Sequence, residues 1–210
     1  MGNTKTEMLK DTFLKLMKKF TDQEDYILVC WTEIVEYYSS ELRFYHNLVH
    51  LDNMLSELKS VENEVKEKDA LLFSIYYHDI IYSTNNSDNE LKSALLFKKR
   101  IERTSFKQIE KCAKQIQLTK EHKLSKDNDV NILLDLDLSI LGKNKTEYNE
   151  YSQNIRNEYK TYSDFEYRNG RKKVLNELLN LPSIYKTDYF ITKFEVNARN
   201  NITYELNSLN

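Results

Sequence analysis

The chain contains very few of the residues that interrupt regular structure. Among its 210 residues there are three glycines and one proline, far below the share of roughly 12% that these two types reach together in average proteins. Turns that need a positive φ or a fixed φ must therefore be scarce. This scarcity favours a chain built mostly of helices that are joined by short connections.

Three further absences limit the class of protein. Cys30 and Cys112 are isolated and form no CxxC pair, so we expect no disulfide framework and a reducing, cytoplasmic compartment. No run approaches the ~18 apolar residues of a membrane span, and no secretory leader pattern opens the chain. The net charge is only −2, so the protein lacks the basic field that would attract a nucleic-acid polymer.

Helical periodicity dominates what is present. Segment 67–81 is apolar nearly all round, and we expect it at the buried centre. Thr21-x-x-Glu24 and Ser87-x-x-Glu90 are typical of capping boxes, and Pro182 predicts the last break. Nothing alternates with period two for long enough to indicate a sheet, which predicts an all-α fold in one domain over 1–210. The predicted helices are 5–20, 21–39, 44–60, 67–81, 87–103, 105–119, 128–141, 144–162, 164–180 and 187–208.

Three of the four histidines lie within 33 residues, in two clusters. His46 and His50 have the i, i+4 spacing that places two imidazoles on one face of a helix. His78 and Asp79 end the next apolar segment and add a nitrogen and an oxygen donor. Imidazole together with carboxylate is a donor mixture that zinc, iron and manganese accept. The sequence therefore predicts a metal site.

A later segment offers a further carboxylate in two versions, Asp135 and Asp137. Two residues apart on a helix, their side chains differ by ~200° of rotation. Only one of them can therefore face the metal.

The order of these residues resembles the His…His-Asp…Asp signature of the HD-domain superfamily of metal-dependent phosphohydrolases. Tyr45-His46-Asn47-x-x-His50 resembles the Tyr-His-Asn-x-x-His element of the cyclic-nucleotide phosphodiesterases, and Asp137-Leu138-Ser139 resembles their Asp-Leu-Ser segment. Over about residues 40–205 the chain is most similar to bacterial-type predicted metal-dependent HD phosphohydrolases. Their other motifs resemble His78 to Tyr82, Asn89 to Ala94 and Asp137 to Gly142.

The resemblance implies an HD-type helical bundle with a core at about 40–142 and a helical C-terminal part at about 143–210. It also implies one or two divalent ions (Mn, Mg, Zn, Co, Ni or Fe). Of the two aspartates, it favours Asp137 over Asp135 as the last metal ligand. His46 would protonate the leaving oxygen, Asp79 would orient the attacking group or bridge a second ion, and metal-bound hydroxide would attack a phosphate mono- or diester. The implied metal ligands are His50, His78, Asp79 and Asp137.

The implied substrate is a nucleotide or another small phosphorylated metabolite. Several candidates for substrate contact have a purely structural alternative: Glu90 as a capping residue, His122 as a polar loop residue, and Arg171 as a salt-bridged cation. The full set of these candidates is Tyr45, Asn47, Asn89, Glu90, His122 and Arg171.

Two other functions and a dimer stay open. A non-catalytic metal and nucleotide sensor would use the same ligands. A di-iron oxygenase is disfavoured, because only His122 lies between the His-Asp pair and the final aspartate. The apolar stripe of segment 5–20 either packs within the chain or against a second copy in a homodimer.

Overall fold

The computed structural model describes residues 2–209, with side chains from residue 6 onward. In that range there are ten α-helices, two short 3-10 turns (Glu62–Glu64 and Ser139–Gly142) and no strand, so the all-α prediction is confirmed. No helix in this range combines the length and the apolarity needed to cross a membrane. The helices are α1 Gly2–Lys18, α2 Glu24–Tyr38, α3 Leu48–Val61, α4 Lys68–Tyr77, α5 Asn89–Ile101, α6 Ile109–Leu118, α7 Asn128–Leu138, α8 Lys145–Glu158, α9 Asp164–Leu179 and α10 Asp188–Ser208.

Both predicted capping boxes are wrong. Gln23 precedes α2 and Asp88 precedes α5, and neither makes a side-chain cap. The Thr21 hydroxyl instead accepts a hydrogen bond from the Gln23 amide at 3.2 Å. The predicted cap hydroxyls thus lie two residues and one residue too early to reach the first free amides of their helices.

A true capping box opens α9, at Ser163-x-x-Glu166. The Ser163 hydroxyl accepts from the Glu166 amide at 3.3 Å, and the Glu166 carboxylate accepts from the Ser163 amide at 2.9 Å. Two donors that the helix leaves unpaired are satisfied reciprocally.

Contacts divide the chain into two compact units, Met1–Leu133 and Leu134–Asn210. In the first unit α4 contacts α1, α3, α5 and α6. All its residues from Ala70 to Tyr77 are buried, which confirms the predicted buried centre. Aromatic rings fill the surrounding space: the ring of Phe13 meets that of Tyr76 edge-on at 5.1 Å, and Phe73 meets Phe106 at 4.8 Å.

The apolar stripe of α1 also packs within the first unit, with one exception. Leu9, Phe13, Leu16 and Met17 are buried, whereas Met8 is 54% exposed. Cys30 and Cys112 are both buried and free of any disulfide, as expected.

The segment before α4 is held by a buried carboxylate. The backbone amides of Lys66 and Glu67 donate to the two oxygens of Asp129 at 2.9 and 2.8 Å. Asp129 is fully buried. It therefore satisfies two amides that precede the helix and fixes where α4 begins.

In the second unit α10 packs against α9 and against the turn Ser139–Gly142. Gly142 allows this close approach, because a Cβ added there would lie 2.4 Å from the Cβ of Phe194 and 2.8 Å from its carbonyl oxygen. Asn201 of α10 donates to the carbonyls of Leu141 and Lys143, both at 2.9 Å. The end of the turn is thereby fixed to the helix on both sides of Gly142.

Two serines provide a matched test of the capping assignments. Ser163→Ala removes a cap hydroxyl and should lower the free energy of unfolding by about 1 kcal/mol. Ser87→Ala removes a hydroxyl that caps nothing and should change it by less than about 0.5 kcal/mol. Urea unfolding followed by circular dichroism measures both, and equal effects would contradict the assignments.

Candidate metal centre

Asn47 determines where α3 begins. Its side-chain oxygen accepts from the Val49 amide at 2.8 Å, and its side-chain nitrogen donates to the Phe44 carbonyl at 2.9 Å. His46 therefore precedes the helix, and only His50 lies in its first turn. The prediction that His46 and His50 share one helical face is wrong, because the cap starts the helix after His46. Their ring centroids nevertheless lie 5.9 Å apart.

The structure places His78 and Asp79 just after the end of α4, not within its last helical turn. The predicted helix 67–81 ends at Tyr77, with His78 as its C-cap. His78 Nδ1 lies 2.8 Å from the carbonyl oxygen of Ile75, which can only accept. The proton of a neutral His78 is therefore on Nδ1, and its Nε2 presents a lone pair, as a metal-bound imidazole requires.

Three potential ligands of the first unit converge: the ligand atoms of His50, His78 and Asp79 lie within 4.8 Å of one another. His50 Nε2 and His78 Nε2 are 3.2 Å apart, and His78 Nε2 is 3.2 Å from Asp79 Oδ2. Neighbouring ligands bound to one ion at ~2.1 Å and at angles of ~90–110° lie about 3.0–3.4 Å apart. The spacing and the donor types therefore fit a divalent metal ion.

The burial of these residues also suits an ion. His50 and His78 are buried, while the Asp79 side chain keeps 14% exposure. Two bare imidazole nitrogens at 3.2 Å repel each other unless a cation or a proton lies between them. A group of this kind can hold a metal ion, and its partly open carboxylate leaves a route for solvent.

Around His46 the structure places aromatic rings and a carboxylate. His46 stacks on Tyr82 with ring centroids 4.1 Å apart and an interplanar angle of 27°. Tyr45 meets the rings of His46 and His50 at 4.9 and 5.0 Å. His46 Nε2 lies 3.9 Å from Asp79 Oδ2, and the imidazole is 18% exposed. His46 is thus beside the group, oriented by Tyr82, and accessible to a small molecule.

Arg43, which no sequence motif singles out, organises this region. Its guanidinium donates to the carbonyls of His46 at 3.1 Å, Asp79 at 2.7 Å and Ile80 at 2.7 Å. The residue is only 9% exposed. One cation thus satisfies carbonyls from both segments that carry the candidate residues.

The segment after Asp79 is held from α5. The Asn89 side chain accepts from the Ser83 amide at 3.2 Å and donates to its carbonyl at 2.9 Å. Ser93 bonds in the same two-sided way to Ile81. Asn47 and Asn89 thus have observed structural roles, and their predicted contact with substrate stays a prediction. Glu90 lies in the first turn of α5 and is partly exposed.

His122 lies in the connection between α6 and α7, which agrees with its reading as a loop residue. Its φ of 48° is in the left-handed region, and its side chain is partly exposed. The group that could hold a metal ion does not include His122, and its predicted role in substrate binding stays a prediction.

In the second unit both carboxylate oxygens of Asp135 accept hydrogen bonds. Its oxygens accept from the amides of Lys186 and Thr187 at 2.7 and 2.8 Å and from the Thr187 hydroxyl at 2.8 Å. Burial raises the pKa of Asp135 to about 6, while these hydrogen bonds act to lower it. Asp137 lies two residues later in the last turn of α7 and is partly exposed.

Arg171 makes a buried ion pair in the second unit. Its Nε and Nη2 donate to the two oxygens of Glu205 at 2.8 and 3.0 Å. The Tyr148 hydroxyl donates to the same carboxylate at 2.5 Å. Arg171 is therefore a salt-bridged cation, the structural alternative to substrate contact, and its guanidinium pairs with Glu205.

Comparison of the chain with models of protein families, with curated proteins and with solved structures found no match. The resemblance to HD-domain phosphohydrolases therefore rests on the motifs alone, and membership in that superfamily stays a prediction.

Arg43→Lys tests whether the guanidinium positions the metal group. A lysine ammonium is a point donor and cannot reach three carbonyls at once, so metal affinity should fall by about tenfold, as for other residues that orient ligands. Arg103→Lys is the matched control, because Arg103 lies over the ring of Tyr26 and not at the site. Calorimetric titration with Zn²⁺ or Mn²⁺ measures the affinity; unchanged affinity in Arg43→Lys would contradict the positioning role.

Proposed function

We propose that the protein is a metal-dependent phosphohydrolase that acts on a nucleotide or another small phosphorylated metabolite. The main support is the convergence of His50, His78 and Asp79 with His46 at their side. Metal ligands alone would serve a structural or sensory site equally well. Acid catalysis requires in addition a proton donor near the metal, and the partly exposed imidazole of His46, close to a ligand carboxylate, can serve as that donor.

We infer that Asp137 supplies the fourth ligand, as the resemblance implies. Its rival Asp135 has both oxygens occupied by donors from residues 186 and 187. Asp137 offers a carboxylate on a different face of the same helix. Four protein ligands leave positions for water and a phosphoryl oxygen on any ion whose coordination number exceeds four.

A bound divalent ion would lower the pKa of its water and neutralise charge on the phosphoryl oxygens. The residues of the chain supply the rest. His46 holds a proton at Nε2 and transfers it to the departing oxygen of the ester. Its Nε2 lies 3.9 Å from Asp79 Oδ2, next to the proposed metal ligands, and the stacked ring of Tyr82 fixes the plane of the imidazole.

Metal analysis and a substrate panel test the proposal directly. The purified protein should contain a divalent metal and hydrolyse phosphate mono- or diesters when Mn²⁺, Mg²⁺ or Co²⁺ is added. Metal and nucleotide binding without any turnover would favour the sensor instead. Two bound irons together with oxygen consumption would favour the oxygenase.

The two aspartates of α7 separate the ligand from the structural residue. Asp137→Asn should lower metal affinity by at least about tenfold, because it removes a charged ligand. Asp135→Asn should keep the metal but lower the free energy of unfolding by about 1–3 kcal/mol, because buried amides lose their acceptor. Calorimetry and urea unfolding are the measurements, and metal loss in Asp135→Asn alone would reverse the assignment.

His46→Ala tests acid catalysis. Metal content should be unchanged, and kcat for an alkyl phosphate ester should fall by roughly 10²–10⁴-fold. The internal control is a p-nitrophenyl ester, whose leaving group needs no proton and should therefore lose much less rate. Equal losses on both esters would remove His46 from this role.

A further inference from the structure

A surface cleft of about 400 Å³ lies in the first unit, beside the candidate metal centre. This size falls in the range of ~300–1,000 Å³ that small-molecule sites occupy. The residues that matter for its chemistry are Glu33, Glu36, Tyr37, Ser40, Arg43 and Tyr82.

One wall of the cleft is a single face of α2. Glu33, Glu36 and Tyr37 have the i, i+3, i+4 spacing that brings side chains together on a helix, and Ser40 follows just after the helix ends. The Glu33 carboxylate is occupied, because Arg100 donates to both of its oxygens at 2.7 and 2.5 Å. Glu36 is exposed, and its side chain makes no hydrogen bond or ion pair with residues 6–209. The cleft therefore presents one carboxylate that can accept from a ligand.

The opposite wall joins the cleft to the metal centre. Tyr82 lines the cleft and also stacks on His46, with centroids 4.1 Å apart. Arg43 lines the cleft and also holds the carbonyls of His46 and Asp79. A ligand in the cleft thus lies one aromatic ring away from the proposed proton donor.

Charge and shape together select one part of a substrate for this cleft. The Glu36 carboxylate repels a phosphate and attracts an amino group. Tyr37, 38% exposed, and Tyr82 offer ring surfaces to a flat aromatic group. Arg43 also lines the cleft, but its guanidinium donates to three backbone carbonyls. The charged group left for a ligand there is therefore Glu36, which directs the phosphate to the metal and the organic part of the molecule to the cleft.

We propose that this cleft binds the amino-bearing base of a nucleotide. The rings of Tyr37 and Tyr82 contact the base, and Glu36 accepts a hydrogen bond from its exocyclic amine. This inference rests on the proposed phosphohydrolase function, because it assigns the substrate class to the same site.

Binding of nucleosides, which carry no phosphate, tests the cleft independently of hydrolysis. Adenosine and cytidine carry the amine, whereas inosine and uridine carry a carbonyl in its place. The Mn²⁺- or Zn²⁺-loaded protein should bind each amino nucleoside at least about tenfold more tightly than its carbonyl counterpart, a difference of about 1.4 kcal/mol that one hydrogen bond to a charged group can supply. Calorimetry gives the four affinities with Zn²⁺, and NMR line broadening reports the bound nucleoside with Mn²⁺.

Glu36→Gln should remove that tenfold preference. Tyr37→Ala should weaken all four nucleosides about fivefold or more, the loss expected for one stacking contact. Glu41→Gln is the matched control, because Glu41 is exposed, close in sequence and not part of the cleft. Absence of nucleoside binding, or a preference that survives in Glu36→Gln, would overturn the proposal.

Phosphate ester hydrolysis, measured in parallel, keeps the two proposals distinguishable. Hydrolysis without any preference for amino-bearing nucleotides would contradict the proposed base site and would still support the phosphohydrolase function. Selective nucleoside binding that Glu36→Gln abolishes, with no hydrolysis of any ester, would refute the enzyme and support the base site.

Discussion

The carbonyl oxygens of His46, Asp79 and Ile80 all accept hydrogen bonds from one side chain, the guanidinium of Arg43. These carbonyls belong to irregular backbone, where no helix provides donors, and buried carbonyls without donors are costly. Arg43 therefore permits two non-helical segments to lie side by side within a helical unit. The approach of His78 and Asp79 to His46 depends on that arrangement.

The same solution recurs throughout a chain that has little glycine or proline to shape its connections. Asp129 binds the amides before α4, Asn89 binds Ser83 on both sides, and Asp135 binds the amides before α10. Arg199 donates to the carbonyls of Leu181 and Pro182 in the connection between α9 and α10. Polar side chains of helices thus take over what backbone-specialised residues do elsewhere. Several buried polar residues of this protein are explained by connections, and need no part in catalysis.

Periodicity and motif order predict the helices and the His-Asp residues that converge, because a short stretch of sequence shows both the apolar spacing and the type of donor. A short stretch does not show which groups form long-range hydrogen bonds. The position of His46 outside α3 follows from the cap at Asn47, whereas the i, i+4 spacing of the two histidines predicts one continuous helix. Arg43 and the partners of Asp135 are invisible locally, because the groups that they bind lie 36 and 51 residues away in the chain. The family resemblance supplied the choice between Asp135 and Asp137, which spacing alone left open.

Tyr82 lines the cleft and also stacks on His46, whereas other cleft residues only line it, and this difference matters for engineering. Glu36 and Tyr37 on α2, and Ser40 just after it, are exposed and line the cleft. Among the described side chains, these three make no hydrogen bond to the backbone of residues 44–50 or 78–82. A combinatorial library confined to these three codons can therefore vary ligand preference while the scaffold of Arg43 carbonyl contacts remains constant. Randomising Tyr82 would couple both properties, since its ring faces the cleft and also supports an imidazole.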